Sequence, residues 1–407
     1  MPQHHRTRDL RWALALLTIG AGHAAMAQTD DGLTLTAAYT MQRDDNLFRL
    51  PDGVDPQAAL GRPSAAETVA IGSLGARYAK SYSLQRIELD LSVVDYRYRT
   101  YSRLDLLATN YDLAWHWSFT PRLRGTLRAE RDESVNTFDD ASVLTRGNQR
   151  VRRYEGFDAL YEIDGVWRLV GGVQSTRNQN EQPLVGEDSY TSRSADLGLR
   201  HDARSGSSVT LRLRRGSGNT INDAAPPAPL RDADFDQDEQ VLDARWLLSA
   251  KTTAELNLTR FQRNHDRVAA RDYSGTNTAL GLRWAATAKT LWSLRWSSDL
   301  SSYQTTNASY ARTERLSASH VWQIAARTSL QTSLSESRRR YLGAPPGQVP
   351  DPQRDATRDA SIGLRWMADR HLRLDASLRH TQRSGNRPGL AFSSTQAVVG
   401  VTLLAAP

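Results

Sequence analysis

The chain of 407 residues contains no cysteine. That excludes disulfide-stapled secreted domains, thiol nucleophiles and thiolate metal sites. Long hydrophobic runs are missing as well, and mean hydropathy is −0.57. A membrane-spanning helix needs about 20 apolar residues, and the one apolar run, Trp12 to Ala21, is too short. An inner-membrane helical protein is therefore excluded. No sign of charge dominates: 52 Lys and Arg stand against 45 Asp and Glu, and the basic residues are dispersed. Without a basic block, nucleic acid is not an expected partner. Nor does any stretch beyond Ala27 sustain a helical period.

The first residues address the chain. Arg6, Arg8 and Arg11 give a basic start, the apolar run follows, and Ala25-Met26-Ala27 supplies a small-x-small cleavage site. This reads as a signal peptide over residues 1–27, cleaved after Ala27, with one domain over 28–407.

What fills that domain is alternation. Ile87, Leu89, Leu91 and Val93 alternate with Glu88, Asp90 and Ser92, and Leu123, Gly125, Leu127 and Ala129 with Arg124, Thr126, Arg128 and Glu130. The pattern returns at Val209 to Arg214, Ala254 to Thr259 and Leu372 to Arg379. A period of two puts each set on one face of a strand. Short turns are expected near 80–83, 120–121, 164–165, 203–206, 249–251, 286–289, 325–327 and 368–370, with Asp164-Gly165 a two-residue hairpin signal. Between them lie longer polar connections at 43–66, 134–150, 180–189, 217–238, 266–271, 342–355 and 386–390, and shorter ones near 100–104 and 305–309. Short turns alternating with long loops describe an all-β, antiparallel up-and-down transmembrane barrel of about 18 strands (16 to 18), short turns toward the periplasm. Such a barrel sits in the outer membrane of a Gram-negative bacterium, in contact with its lipid. Loops 43–66 and 217–238 are long enough to plug it.

Trp117, Trp167, Trp246, Trp284, Trp292, Trp322 and Trp366 lie close to short turns, where amphipathic rings would form a periplasmic girdle. The opposite parity is charged. Arg124, Arg128, Arg212, Arg214, Arg283, Arg295, Arg365, Arg373 and Arg379 share it with Glu88, Asp90, Glu130, Glu255 and Asp375. A dry sandwich core could not hold so many charges. A wet lumen can, so these residues are the candidate path for a polar, anionic solute.

No enzyme emerges, and no cofactor or metal is expected. The histidines form no H-E-x-x-H pattern and no serine sits in G-x-S-x-G. Asp232 to Glu239 superficially resembles a calcium loop, but Gln237 replaces the required glycine and Asp243 the bidentate glutamate. It reads as a solvated acidic loop. Gly72 to Gly75 and Gly216 to Gly218 are too short to cradle phosphate.

Arg43-Asp44-Asp45-Asn46-Leu47-Phe48-Arg49-Leu50-Pro51-Asp52-Gly53 resembles a signature of the EpsL outer-membrane proteins, which accompany exopolysaccharide loci and the exosortase/PEP-CTERM system. Tyr82 to Arg86, Tyr96-Arg97-Tyr98, Asn110-Tyr111 with Trp115 and Trp117, Thr120 to Leu123, Gly171-Gly172-Val173 and Ser205 to Ser208 are similar to the same family. The resemblance implies a porin-like barrel in exopolysaccharide export, with polysaccharide and periplasmic export components as partners. By residue chemistry alone, Asp44-Asp45-Asn46-Leu47-Phe48 is either a turn at the outer end of the first strand or an inward constriction. A general diffusion porin, an anchoring scaffold and a lipid- or sugar-acting hydrolase are the alternatives. The chain ends Val401 to Pro407 without the aromatic residue that closes many such barrels, and the segment Phe392 to Leu404 alternates only loosely, which leaves its register open.

Overall fold

The computed structural model describes residues 31–135, 149–181, 189–221, 232 and 234–405. The expected signal peptide with residues 28–30, most of 134–150 and 180–189, half of 217–238, and the last two residues lie outside it. Eighteen strands follow in order: β1 (Gly32–Asp44), β2 (Glu67–Tyr82), β3 (Gln85–Tyr98), β4 (Leu106–Ser118), β5 (Leu123–Val135) and β6 (Gln149–Glu162). Next come β7 (Trp167–Asn180), β8 (Tyr190–Asp202), β9 (Ser208–Thr220), β10 (Phe235–Ser249), β11 (Thr252–His265) and β12 (Tyr273–Thr287). The last six are β13 (Thr290–Thr305), β14 (Ala308–Ala325), β15 (Thr328–Leu342), β16 (Arg354–Met367), β17 (Leu372–Gly385) and β18 (Phe392–Ala405). One short helix, α1 (Pro56–Leu60), interrupts the first loop.

Every strand pairs antiparallel with its sequence neighbours, and β1 also pairs with β18 from Leu35↔Ala405 to Asp44↔Gln396. The sheet is closed. The loose alternation of the last strand thus finds a register from two sides, since Val399 lies opposite Met41 on β1 and Ala376 on β17.

Closure turns parity into inside and outside. Leu35, Tyr39, Leu74, Leu91, Leu113, Leu127, Leu213, Leu334, Ile362, Leu378 and Val399 share one parity through the ladders and are exposed, Leu334 at 63%. Side chains splay apart on a convex face, so this is the outside; an apolar convex face is what lipid requires. Strands of 13 to 18 residues exceed the 9–11 or so that cross a bilayer, so their ends project beyond it.

The eight short connections gather at one end with the start of β1 and the end of β18, as the periodicity predicts, but their details differ. Asp164-Gly165 is not a two-residue hairpin. The turn holds residues 163–166, and Asp164 accepts from Val166 N at 2.8 Å and Trp167 N at 2.7 Å. Asp369 repeats the device with His371 N at 2.6 Å and Leu372 N at 2.8 Å. Side-chain capping by the aspartate makes the wider turn as good as the glycine-driven one. At the other end the strands run further than turn-forming composition suggests. Residues 217–220 and 235–238 are strand rather than loop, because β9 and β10 stay in register from Phe235↔Gly218 onward. Likewise 305–309 narrows to a two-residue turn between Thr305 and Ala308.

The apolar outer face sets an expected outcome. Ile362→Arg, in mid-strand on the outer face, should destabilise the folded barrel by about 2–4 kcal/mol, while neighbouring Ser361→Arg, on the inner face, should be nearly neutral. Urea titration of folding in lipid vesicles checks the order; the reverse order contradicts the assignment of faces.

Candidate functional site

The inner wall is the polar face of this barrel. The ladders set Arg124, Arg128, Arg212, Arg214, Arg283, Arg295, Arg365, Arg373, Arg379, Glu88, Asp90, Glu130, Glu255 and Asp375 all on the parity opposite the exposed apolar side chains. They do not converge on one point. They are spread around the wall as small clusters.

Each cluster joins arginines to acids at neighbouring positions of the wall. Arg128 Nη2 lies 2.6 Å from Asp112 and 2.5 Å from Glu130. Arg214 sits between Asp196 at 3.5 Å and Glu239 at 3.2 Å. Arg212 pairs with Asp243, which also accepts from Asn257 at 2.5 Å. Asp375 is held by Arg365 and Arg373, both at 2.8 Å. Arg379 and Thr381 meet Asp359 at 2.6 and 2.7 Å. Nearer the short-turn end, Arg168 and Arg200 lie directly opposite each other and share Asp202. Glu88 pairs with Arg86 at 2.8 Å and Asp90 with Arg77 at 3.8 Å. The acids Asp112, Asp196, Asp202, Asp243 and Asp359 escape a reading that lists arginines first. The same parity would have found them.

Balance is uneven along the wall. Arg124 spends one donor on Pro121 O at 3.2 Å, and Arg283 has no acidic partner within ion-pair distance among the described residues. Arg295 lies opposite Gly281, on the strand that carries Arg283. Asp299 is the one acid on the inner parity of these two strands, so the β12–β13 sector carries two arginines against one carboxylate.

At the long-loop end, buried polar contacts tie the rim together. Asp44 accepts from Asn46 N at 2.9 Å and from Ser394 Oγ at 2.7 Å, and pairs with Arg49 at 2.9 Å. Asn46 closes the turn through Leu50 N at 2.8 Å and Leu50 O at 2.9 Å. Leu47 and Phe48 pack with Tyr101 and Leu104 of the neighbouring loop. Of the two readings of this segment, the turn at the outer end of the first strand is the one its contacts describe. The expected solvated acidic loop is a correction: Asp232 is fully buried. Its carboxylate accepts from Arg267 N at 2.5 Å, Val268 N at 2.9 Å and Asp234 N at 3.2 Å, while its own N–H donates to Gln304 at 2.7 Å. Arg271, also fully buried, donates to Thr305 O at 2.7 Å and to Ala308 O at 2.5 Å. Three connections are thereby fastened to one another.

Outward, the seven tryptophans stand near short turns. Trp167, Trp246, Trp284, Trp292, Trp322 and Trp366 are exposed, whereas Trp117 is only 4% exposed. It lies over Gly125 and stacks on Phe157 at 5.5 Å. No room exists there for a side chain at position 125.

A family model described as "Putative beta-barrel porin 2" matches residues 244–404, which runs from within β10 to β18. Solved structures resemble nearly the whole chain. OccK2 (OpdF) of Pseudomonas aeruginosa aligns at TM-score 0.52 and 13% identity, covering 93% of this chain and 99% of that one. The fold is that of an outer-membrane porin. A BenF-like porin from Pseudomonas fluorescens Pf-5 aligns at TM-score 0.51 and 11% identity, covering 93% and 99%. OccK2 in complex with glucuronate aligns at 0.51 and 12%, covering 92% and 98%. No curated protein matches the sequence. The matched family model and folds are those of porins, which are channels and not enzymes.

The rim clamp carries a pH sign. Burial alone would raise the Asp232 carboxyl, but the N–H groups of Arg267, Val268 and Asp234 outweigh it and hold it below the ordinary aspartate value. A depressed carboxylate stabilises the fold fully above its unfolded pKa, about 3.9, and the contribution is lost as pH falls through the lowered value. Asp232→Ala leaves buried N–H donors unpaired, a loss of about 1–3 kcal/mol. Limited proteolysis at neutral pH should then cut within 266–272 in the variant and spare the parent, and strong acid should bring the parent to the same susceptibility. Equal cutting of the two at neutral pH contradicts the clamp.

Proposed function

We propose that this chain is a passive outer-membrane pore for small hydrophilic solutes, with a preference for anions. The observation that carries the reading is the inner wall itself: ion pairs around a closed 18-stranded sheet, with a cationic excess on β12–β13. Barrels of 16–18 strands are wide enough for an aqueous channel. Paired charges offer a solute hydrogen bonds without a deep trap, so entry and release both stay feasible. Among the described residues the wall carries no device for coupling energy, and on this reading transport runs down the gradient. The glucuronate held by one OccK2 structure illustrates the solute class this reading favours, a small sugar acid. Export follows from a signal peptide cleaved after Ala27, and the exposed tryptophans mark the periplasmic interface.

A second reading rests on the resemblance of Arg43 to Gly53 and the further segments to EpsL proteins: a conduit for exopolysaccharide, working with periplasmic export components. It predicts that deleting the gene abolishes secreted polysaccharide and leaves small-solute uptake unchanged. Pore function predicts the opposite pattern.

The direct check is electrical. In planar bilayers across a salt gradient, the parent should give a reversal potential of anion-selective sign. The Arg283→Glu/Arg295→Glu variant should shift it toward cations by several millivolts or more. Absence of channel events, or an unshifted potential, overturns the reading.

A further inference from the structure

The closed sheet has a break that its strand lengths do not require. β12 and β13 pair from Thr287↔Thr290 up to Thr278↔Ser298 and no further, although β12 reaches back to Tyr273 and β13 runs on to Thr305. On either side the ladders continue, β11–β12 to Arg263↔Tyr273 and β13–β14 to Ser302↔Tyr310 and the turn beyond. The break opens just above Leu280 and Trp296, the last exposed apolar side chains on the two strands. It therefore lies clear of hydrocarbon, where an open strand edge could not persist. A side chain bridges it: Leu300 N–H donates to Asn277 Oδ1 at 2.8 Å. The β4–β5 ladder stops in the same way at Tyr111↔Arg131, and Glu133 N–H donates to Asn110 Oδ1 at 2.8 Å.

Above the break, β13 and β14 step inward. Leu300 and Tyr310 have the parity of Trp296 and Leu316, that of the outer face. Phe261, Tyr273 and Gly275 have the parity of Asn257 and Glu255, that of the inner face. Yet these residues of opposite parity pack together. Leu300 is buried with Phe261 and Tyr273, and Tyr273 stacks on Tyr310 with ring centroids 4.7 Å apart. Gly275 leaves the space for this, since a side chain there would collide with Leu300 Cδ1. An outer face meets an inner one only if the crown of β13–β14, residues 299–310, has swung across the inside of β11–β12. Its tip is held there. Arg271 donates to Thr305 O at 2.7 Å, Ala308 O at 2.5 Å and Ser309 Oγ at 3.2 Å, and Gln304 meets Asp232 and His265.

We propose that this crown is a hinged flap of the pore mouth, latched inward by Arg271, and that its release widens the passage. The inference rests on the pore reading above. A second position is open to the crown, because continuing the same register would pair Leu300 with Thr276 and Ser301 with Gly275. That position regains ladder hydrogen bonds between β12 and β13. It gives up the ring stack, the Leu300 packing and the Arg271 contacts, and it returns the crown to the line of the wall. Two packings that exchange one set of contacts for another make a bistable element. The pivot is the end of the ladder at Thr278↔Ser298.

Disulfides tell the two positions apart, and the chain has no cysteine of its own. The Gly275→Cys/Leu300→Cys variant removes the leucine side chain that would collide and places both thiols in the tucked contact. In the paired position the two would project from opposite faces and could not join. Mild oxidation in lipid vesicles should crosslink most molecules of this variant. Thr276→Cys/Leu300→Cys has the reverse geometry and should crosslink slowly, then several times faster once Arg271→Gln is added. In planar bilayers, oxidised Gly275→Cys/Leu300→Cys should lose its upper conductance level, and reductant should restore it, the same protein serving as its own folding control. Absence of the crosslink between positions 275 and 300 overturns the tuck. An unchanged rate with Arg271→Gln overturns the latch. Identical conductance before and after reduction, with the crosslink formed, overturns the flap and leaves the pore. Absence of channel events in both states overturns the pore reading and the flap with it.

Discussion

In hydrocarbon no water is available to a backbone N–H or C=O, and a strand with an unpaired edge cannot persist there. The β1–β18 seam meets that constraint. It joins the first and last strands over ten register pairs, from Leu35↔Ala405 to Asp44↔Gln396. With the edge abolished, one parity of every strand is committed to lipid and the other to the interior. The apolar outer belt, the charged inner wall and the segregation of turns and loops are consequences of that single closure.

The inner wall then follows from ordinary electrostatics. An interior of this width stays wet, so arginines and acids need not be fully desolvated, yet the curved wall brings neighbouring side chains close enough to pair. The outcome is a ring of pairs and triads rather than one catalytic-looking focus. Where pairing is one to one, as at Arg379 and Asp359, the wall is locally neutral. Where it is incomplete, as near Arg283, field remains for a passing ion. At the long-loop end, water is excluded by packing, and polar groups such as Asp232 and Arg271 are buried because each satisfies several partners at once.

Much of the fold is legible in the sequence because a barrel's defining signal is local. Alternation at Ile87 to Val93 or Leu372 to Arg379 gives the face of each residue without knowledge of its neighbours in space, and loop lengths orient the whole. The rest depends on long-range contacts. Asp232 reads as solvent-exposed because its run is acidic; its burial is decided by backbone donors at 267 and 268 and by Gln304, far along the chain. The register of the last strand is invisible until β1 is placed beside it. Pairing along the inner wall is likewise a cross-strand property. Arg212 and Asp243 lie on adjacent strands, but which acid meets which arginine depends on a register that turn residues alone do not fix.

Because the chain contains no cysteine, closure can be measured without background. Ala38 and Thr402 are register partners across the seam and face inward together. A double Ala38→Cys/Thr402→Cys variant, folded in lipid vesicles and mildly oxidised, should form an intramolecular disulfide in nearly every molecule. The offset pair Ala38→Cys/Val398→Cys should form almost none. Efficient crosslinking of the offset pair, or of neither, would contradict the closed register on which the account rests.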